Sequence, residues 1–212
     1  MLPLKADQTA LLVLDCQNAI VHEDGLIARA MGFAEMIRAG STLEHCARLM
    51  DEARQVGALV VHVRVDPSLR NAARASRRGH FFAAIAAMSQ SGESPLAPGA
   101  WGADFHERCQ PLPGEPVVGK FPVGAFANSN LDQELSRRGI SDLILAGVAT
   151  HMVVESTTRQ ATDLGYSVVV AGDACAAGSK EQHAASLATL ALFADILSAQ
   201  EIVGLFRQED QR

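Results

Sequence analysis

A chain of 212 residues with 48% apolar and 20% charged side chains is large enough to bury one sizeable core, which excludes the disordered class and fits a globular protein. Its formal net charge of −6 speaks against a nucleic-acid partner, because phosphate binding calls for a basic face, and the one basic cluster is Arg70, Arg74, Arg77 and Arg78. No apolar run reaches about 18 residues, so no membrane partner is expected.

Cys16, Cys46, Cys109 and Cys175 have no Cys-x-x-Cys spacing and signal neither a zinc site nor a disulfide framework. With no secretory leader ahead of the first strand, the expectation is a reduced, cytoplasmic protein.

Thr9 to Leu14 is a continuous apolar run, as in a strand buried on both faces of a parallel sheet, and it ends in Asp15-Cys16-Gln17-Asn18. Met36, Ile37, Leu43, Cys46, Leu49, Met50 and Ala53 have helical spacing, which predicts one helix from about Phe33 to Gln55, stopped by Gly57. Ala58 to Val65 reads as the second strand, completing a βαβ unit. A helix around Leu69 to Met88 and a Ser/Gly/Pro-rich loop from Ser89 to Gly102 follow, a long connection of the kind that carries substrate contacts. Pro116 to Gly119 predicts a short strand ending at Lys120, and Leu131 to Arg138 a short helix.

Leu143 to Ala146 is a strand that breaks at Gly147, and a helix runs from Thr150, placed as its N-cap, to about Leu164. Tyr166 to Ala171, a helix from Lys180 to Ala194, an edge strand at Ile196-Leu197 and a helix from Ala199 to Phe206 complete the alternation. Six strands alternating with helices imply a three-layer α/β/α sandwich with a mostly parallel sheet, read as one domain over residues 1–212. In such sheets ligands bind beyond the carboxyl ends of the strands, which puts Asp15, Lys120 and the turn after Gly147 in view. By position alone, Asp15 is equally a turn aspartate and Lys120 an exposed lysine.

Three stretches, Leu-Leu-Val-Leu-Asp15-Cys-Gln17-Asn18, Lys120-Phe-Pro-Val-Gly-Ala-Phe126 and Gly147-Val-Ala-Thr-His-Met-Val-Val-Glu-Ser-Thr157, resemble in order the motifs of the isochorismatase-like, or cysteine hydrolase, superfamily. The resemblance runs from Leu11 to about Phe206 and implies that family's Rossmann-like fold, with Asp15 as catalytic acid or base, Lys120 as its partner and Gln17 in a positional role. It implies a cis peptide bond at Val148-Ala149 and a cradle of backbone N–H groups over Val148, Ala149 and Thr150, with His151 able to line the pocket or to lie on the surface. In most of the family the third residue after Thr150 is a nucleophilic cysteine; here it is Val153, which has no lone pair to attack with. True isochorismatases also lack that cysteine, with glycine in its place, and are implied to use the aspartate as general acid with water as nucleophile.

Among substitute nucleophiles, Ser156 and Thr157 lie one helical turn further on, and Cys175 reads as a small buried hydrophobe. Arg64, Arg70 and Arg74 offer a guanidinium for a substrate carboxylate or, equally, a solvated face. The metal-binding branch of the family carries an aspartate and two close histidines after the second strand. Asp66 is followed by no such pair and His80 is too distant, so neither metal nor cofactor is implied. The expectation is a hydrolase of a small, anionic molecule, assembled as a homodimer or higher oligomer; a cysteine-independent amidase and a catalytically silent binding homologue are the alternatives.

Overall fold

In the computed structural model, which describes residues 4–71 and 94–209, six strands pair side by side in the order β3-β2-β1-β4-β5-β6, every pair parallel. They are β1 (Thr9–Leu14), β2 (Leu59–Val65), β3 (Val117–Lys120), β4 (Asp142–Val148), β5 (Ser167–Ala176) and β6 (Asp195–Leu197). All of β1 is buried because both its faces are covered. Leu11, Val13, Ile144 and Ala146 face helices α1 (Asn18–Val21), α2 (Leu26–Ala30), α3 (Phe33–Gly40), α4 (Thr42–Val56) and α8 (Ala199–Glu209). The alternate residues Ala10, Leu12, Leu14, Leu143 and Leu145 face α5 (Leu131–Ser136), α6 (Glu155–Asp163) and α7 (Lys180–Leu190). The three-layer expectation holds.

Several boundaries differ from the sequence reading for identifiable reasons. The single helix from Phe33 to Gln55 is two helices, because Ser41 takes a left-handed φ of 51° that no continuous helix allows. Gly147 does not end β4 but lies inside it: with φ 128° it lets β1 pass so close that an added Cβ would sit 2.1 Å from the Leu14 carbonyl oxygen. Across this glycine the β4–β5 register shifts, and β5 continues through Gly172 and Asp173 to Ala176. The chain after Ala149 starts as a π-helical turn, Thr150–Val154, before α6 begins at Glu155. Most of the expected helix around Leu69 to Met88, with Arg74, Arg77, Arg78 and His80, lies outside the described residues, as does the side chain of Arg70. No helix among the described residues is long and apolar enough to cross a membrane.

A buried ion network ties the segment before β3 to the sheet. The Arg54 guanidinium on α4 donates to both oxygens of Glu115 at 2.7 and 2.9 Å, the Leu112 N–H donates at 2.8 Å, and His62 Nε2 lies 3.0 Å away. Burial raises the Glu115 carboxyl, but these donors outweigh it and hold the group at about 2. A lowered folded pKa contributes stability above the ordinary 4.5 that is lost as pH falls through about 2.

Two outcomes follow for unfolding experiments. Glu115→Gln is expected to lower unfolding stability by roughly 2 kcal/mol at pH 7, with the gap to the parent narrowing between pH 4.5 and 2 in urea titrations. Gly147→Ala, which forces a side chain into the Leu14 backbone, is expected to cost on the order of 2–4 kcal/mol in the same assay.

Candidate active site

Asp15 is the first residue beyond β1 and has φ 55°, a left-handed conformation that aspartate tolerates better than most side chains. Its N–H donates to the Val63 carbonyl at 2.9 Å, and its own carbonyl accepts from the Gln17 N–H at 2.8 Å, so the kink is held on both sides. Gln17 bonds back to the end of β2: the Val65 N–H donates to Oε1 at 2.7 Å, and Nε2 donates to the carbonyls of Val65 and Ala103, both at 3.1 Å. That spends the amide on the scaffold and matches a positional role.

Lys120 is the last residue of β3, beside Val65 in register. From there its ammonium reaches past the end of β2 and donates to Asp15 Oδ2 at 2.7 Å and to the Val123 carbonyl at 3.0 Å. The two side chains are only 2% and 7% exposed, and Asp15 Oδ1 is buried with no partner among the described residues. Burial raises the Asp15 carboxyl above the usual carboxylate range, and the Lys120 charge and hydrogen bond pull against it. The arrangement is a proton-carrying group with one oxygen tied and one oxygen open.

Across the β1–β4 pair, Leu14 is level with Gly147, so Val148 and Ala149 follow alongside Asp15. The peptide bond joining them is cis. Thr150 is not the N-cap expected of it. Ala149 takes that place, its carbonyl accepting from the N–H groups of Met152 and Val154, and the fully buried Thr150 hydroxyl lies 2.8 Å from His183 Nδ1 on α7. His151 is half-buried rather than a surface residue; its ring meets Phe33 edge-on, and burial lowers its pKa, against a smaller opposing effect of Glu155. Val153 is 2% exposed and sits in the apolar cluster that holds Leu12, Leu14, Val118 and Val154.

One expected contributor lies elsewhere, and another is engaged by a neighbouring carboxylate. Phe126 stacks on Tyr166, ring centroids 5.8 Å apart, beside the amino end of β5, because the chain after Lys120 turns back along the sheet and is pinned to α6 through Thr157 and Gln160. Arg64 is engaged with Asp66 at 3.7 Å and is a third exposed. Cys175 lies inside β5, and burial pushes its thiol up to about 12, the opposite of an activated nucleophile. Among the described residues no three His, Cys, Asp or Glu side chains are placed to share a metal ion.

The sequence reading missed His183, Ser186 and the segment from Trp101 to His106. That segment crosses the end of β1: the Asn18 N–H donates to the Asp104 carbonyl, its side chain donates to the Trp101 carbonyl at 3.0 Å, and Phe105 bridges Gln17. No local signal marks these residues, since each partner is remote in the chain. A surface cleft lined by Ala6, Asp7, Gly57, Glu115 and Arg138 lies at the opposite, amino edge and shares no residue with this group.

Comparison with known proteins agrees with this geometry. The profile of the isochorismatase domain matches residues 9–201. The ureidoacrylate amidohydrolase RutB of Variovorax paradoxus is 36% identical, the match covering 82% of this chain and 70% of the relative. RutB of Acinetobacter baylyi is 31% identical over 98% of this chain and 87% of its own length. A cysteine hydrolase from Pseudomonas syringae pv. phaseolicola superposes with a TM-score of 0.82 at 20% identity, covering 98% of this chain and 96% of that one, a likeness of fold. With a family profile spanning most of the chain and relatives above 30% identity over most of their length, the chain belongs to the isochorismatase family.

Proposed function

We propose that this chain, one domain over its whole length, hydrolyses a small anionic molecule through proton transfer by Asp15, with no covalent thioester. The observation that carries the reading is the buried Asp15 carboxyl: Oδ2 is held by Lys120 at 2.7 Å, while Oδ1 has no partner among the described residues. A buried carboxyl oxygen left open is costly unless a water or a substrate atom completes it. Burial raises its pKa toward the range where a carboxyl both gives and takes a proton near neutral pH, which is what general acid–base catalysis requires. Lys120 orients the group and keeps its charged form accessible. The backbone of Val148, Ala149 and Thr150, which follows alongside, is the cradle for developing negative charge.

Val153 sets the limit on mechanism. The family's thioester route needs a thiolate at this position, and a valine in an apolar cluster supplies a wall instead. Water then has to be the nucleophile. A second reading, an amidase that works without cysteine, is favoured by the 31–36% identity to ureidoacrylate amidohydrolases, whose name denotes a small molecule with a carboxylate and an amide bond. Turnover of purified protein on isochorismate and on a panel of small amides, ureidoacrylate among them, separates the two. No turnover on either, with ligands still raising the unfolding temperature, would replace both with a silent binding protein.

For whichever substrate is turned over, Asp15→Asn is expected to lower kcat by about 10²–10⁴ while the fold persists, because the isostere keeps the shape and removes the proton carrier. Iodoacetamide, by contrast, should leave turnover largely intact, since all four cysteines are free and buried and none replaces Val153. Turnover that survives Asp15→Asn and disappears on thiol alkylation would refute the proposal.

Val153→Cys restores the family's attacking group. A new amidase activity in this variant, detectable as ammonia release, would mean that the cradle is intact and only the attacking group is missing. A silent, correctly folded Val153→Cys protein would mean that the surrounding cradle has also lost its catalytic geometry.

A further inference from the structure

We propose that His183, on α7, is a positioning residue of this site: through the Thr150 hydroxyl it holds the backbone turn that presents the cradle N–H groups. The proposal rests on the reading of Val148 to Thr150 as that cradle.

The hydroxyl of Thr150 is fully buried, and its partner is His183 Nδ1 at 2.8 Å. A buried hydroxyl left without a partner costs about 1–3 kcal/mol, so this contact decides which way the Thr150 side chain, and with it the start of the turn, can face. One turn along α7, Ser186 Oγ lies 3.3 Å from the Thr150 carbonyl and 2.8 Å from Glu155 Oε2. The Thr150 carbonyl shares a peptide plane with the His151 N–H, so whatever holds that carbonyl also aims that donor. A serine hydroxyl has one proton, however, and the carboxylate is both the nearer and the stronger acceptor. Glu155 is itself engaged by Arg159 at 3.0 Å. The serine therefore grips the carbonyl weakly, and His183 provides the firmer hold.

The direction of this bond depends on the charge of the imidazole. An unprotonated Nδ1 accepts from the Thr150 hydroxyl, whereas a protonated ring can only donate to the hydroxyl oxygen, and the hydroxyl proton then loses its acceptor in a buried site. Burial lowers the His183 pKa from the ordinary 6.5, which favours the neutral ring, so the hold is weakened only in acid. The titratable and charged groups on the elements packed against this part of α7 are His151 in the turn, Glu155, Arg159 and Asp163 on α6 and Asp195 on β6, with Lys180 and Glu181 on α7 itself.

The test uses Thr150→Val, an isostere without the hydroxyl, His183→Asn and the double variant, with Thr150→Ser as the conservative control. Amide hydrogen exchange at Thr150 and His151 is expected to speed up about tenfold in each single variant and no further in the double, because both remove the same contact. On a substrate that the parent hydrolyses, kcat should fall about tenfold with KM within about twofold, Thr150→Ser, which keeps the hydroxyl, should lose less rate than Thr150→Val, and the acid limb due to His183 should vanish in His183→Asn. Parent-like exchange at His151, effects that multiply in the double variant, or an unchanged acid limb would overturn the proposal. If the parent turns over no substrate, the hydrolase reading is what has failed, and amide exchange with the NMR titration of His183 still decides this one.

Discussion

Two opposite charges taken out of water at the carboxyl edge of the sheet organise this molecule. The Asp15–Lys120 contact, 2.7 Å long and nearly inaccessible, joins side chains 105 positions apart and spans three adjacent strands. Removing two ions from water costs several kcal/mol each, and apolar replacements of similar volume are often as stable or more so. A buried pair is therefore poor as a stabilising device. Its presence needs another reason, and the proposed proton transfer supplies one: the pair ties one carboxyl oxygen and leaves Oδ1 without a partner among the described residues, beyond the end of β1.

The surrounding structure reads as support for that pair. Gln17 spends both ends of its amide on the end of β2 and on the loop at Ala103, fixing the distance from β1 that Lys120 must bridge. Gly147 lets β4 come against β1 where any side chain would keep them apart, which brings Val148 and Ala149 level with the aspartate. The chain after Lys120 is tied to α6 by the Thr157 hydroxyl and the Gln160 side chain, so the Val123 carbonyl stays where the ammonium needs it. The Gln17, Thr157 and Gln160 contacts are polar groups satisfied over a long sequence separation, and with the glycine they convert a costly ion pair into a single fixed geometry.

That division explains how much was legible in the sequence. The strands were, because burial on both faces leaves continuous apolar runs such as Thr9 to Leu14 and Leu143 to Ala146. Their ends were not. Gly147 and Gly172-Asp173 carry turn chemistry locally, yet both lie inside strands because the β1–β4 approach and the β4–β5 register shift use them there. The short helices α1 and α2 have no periodic stripe to betray them; α1 is fastened to the Trp101–Asp104 segment instead. Asp15 and Lys120 came into view at strand ends, and only motif resemblance paired them, since no spacing rule links residues so far apart. Phe126 shows the opposite failure: a motif placed it at the site, while the path of its loop put the ring on Tyr166.

The substitution at the family's nucleophile position changes what the same scaffold can do. A reactive thiolate needs an electropositive, partly hydrated setting, but Val153 belongs to a dry cluster with Leu12, Leu14 and Val118. Cys175, in the same cluster, shows what that environment does to sulfur: burial pushes its thiol up to about 12, far from a thiolate at neutral pH. A thiol restored at position 153 would therefore depend on the nearby turn and on Lys120 for any activation. The same dryness favours a carboxyl that exchanges protons, because burial moves Asp15 upward, toward the working range of an acid–base group, rather than away from it. A valine at position 153 is therefore compatible with the water-based hydrolysis proposed for this chain and does not by itself argue for a silent protein.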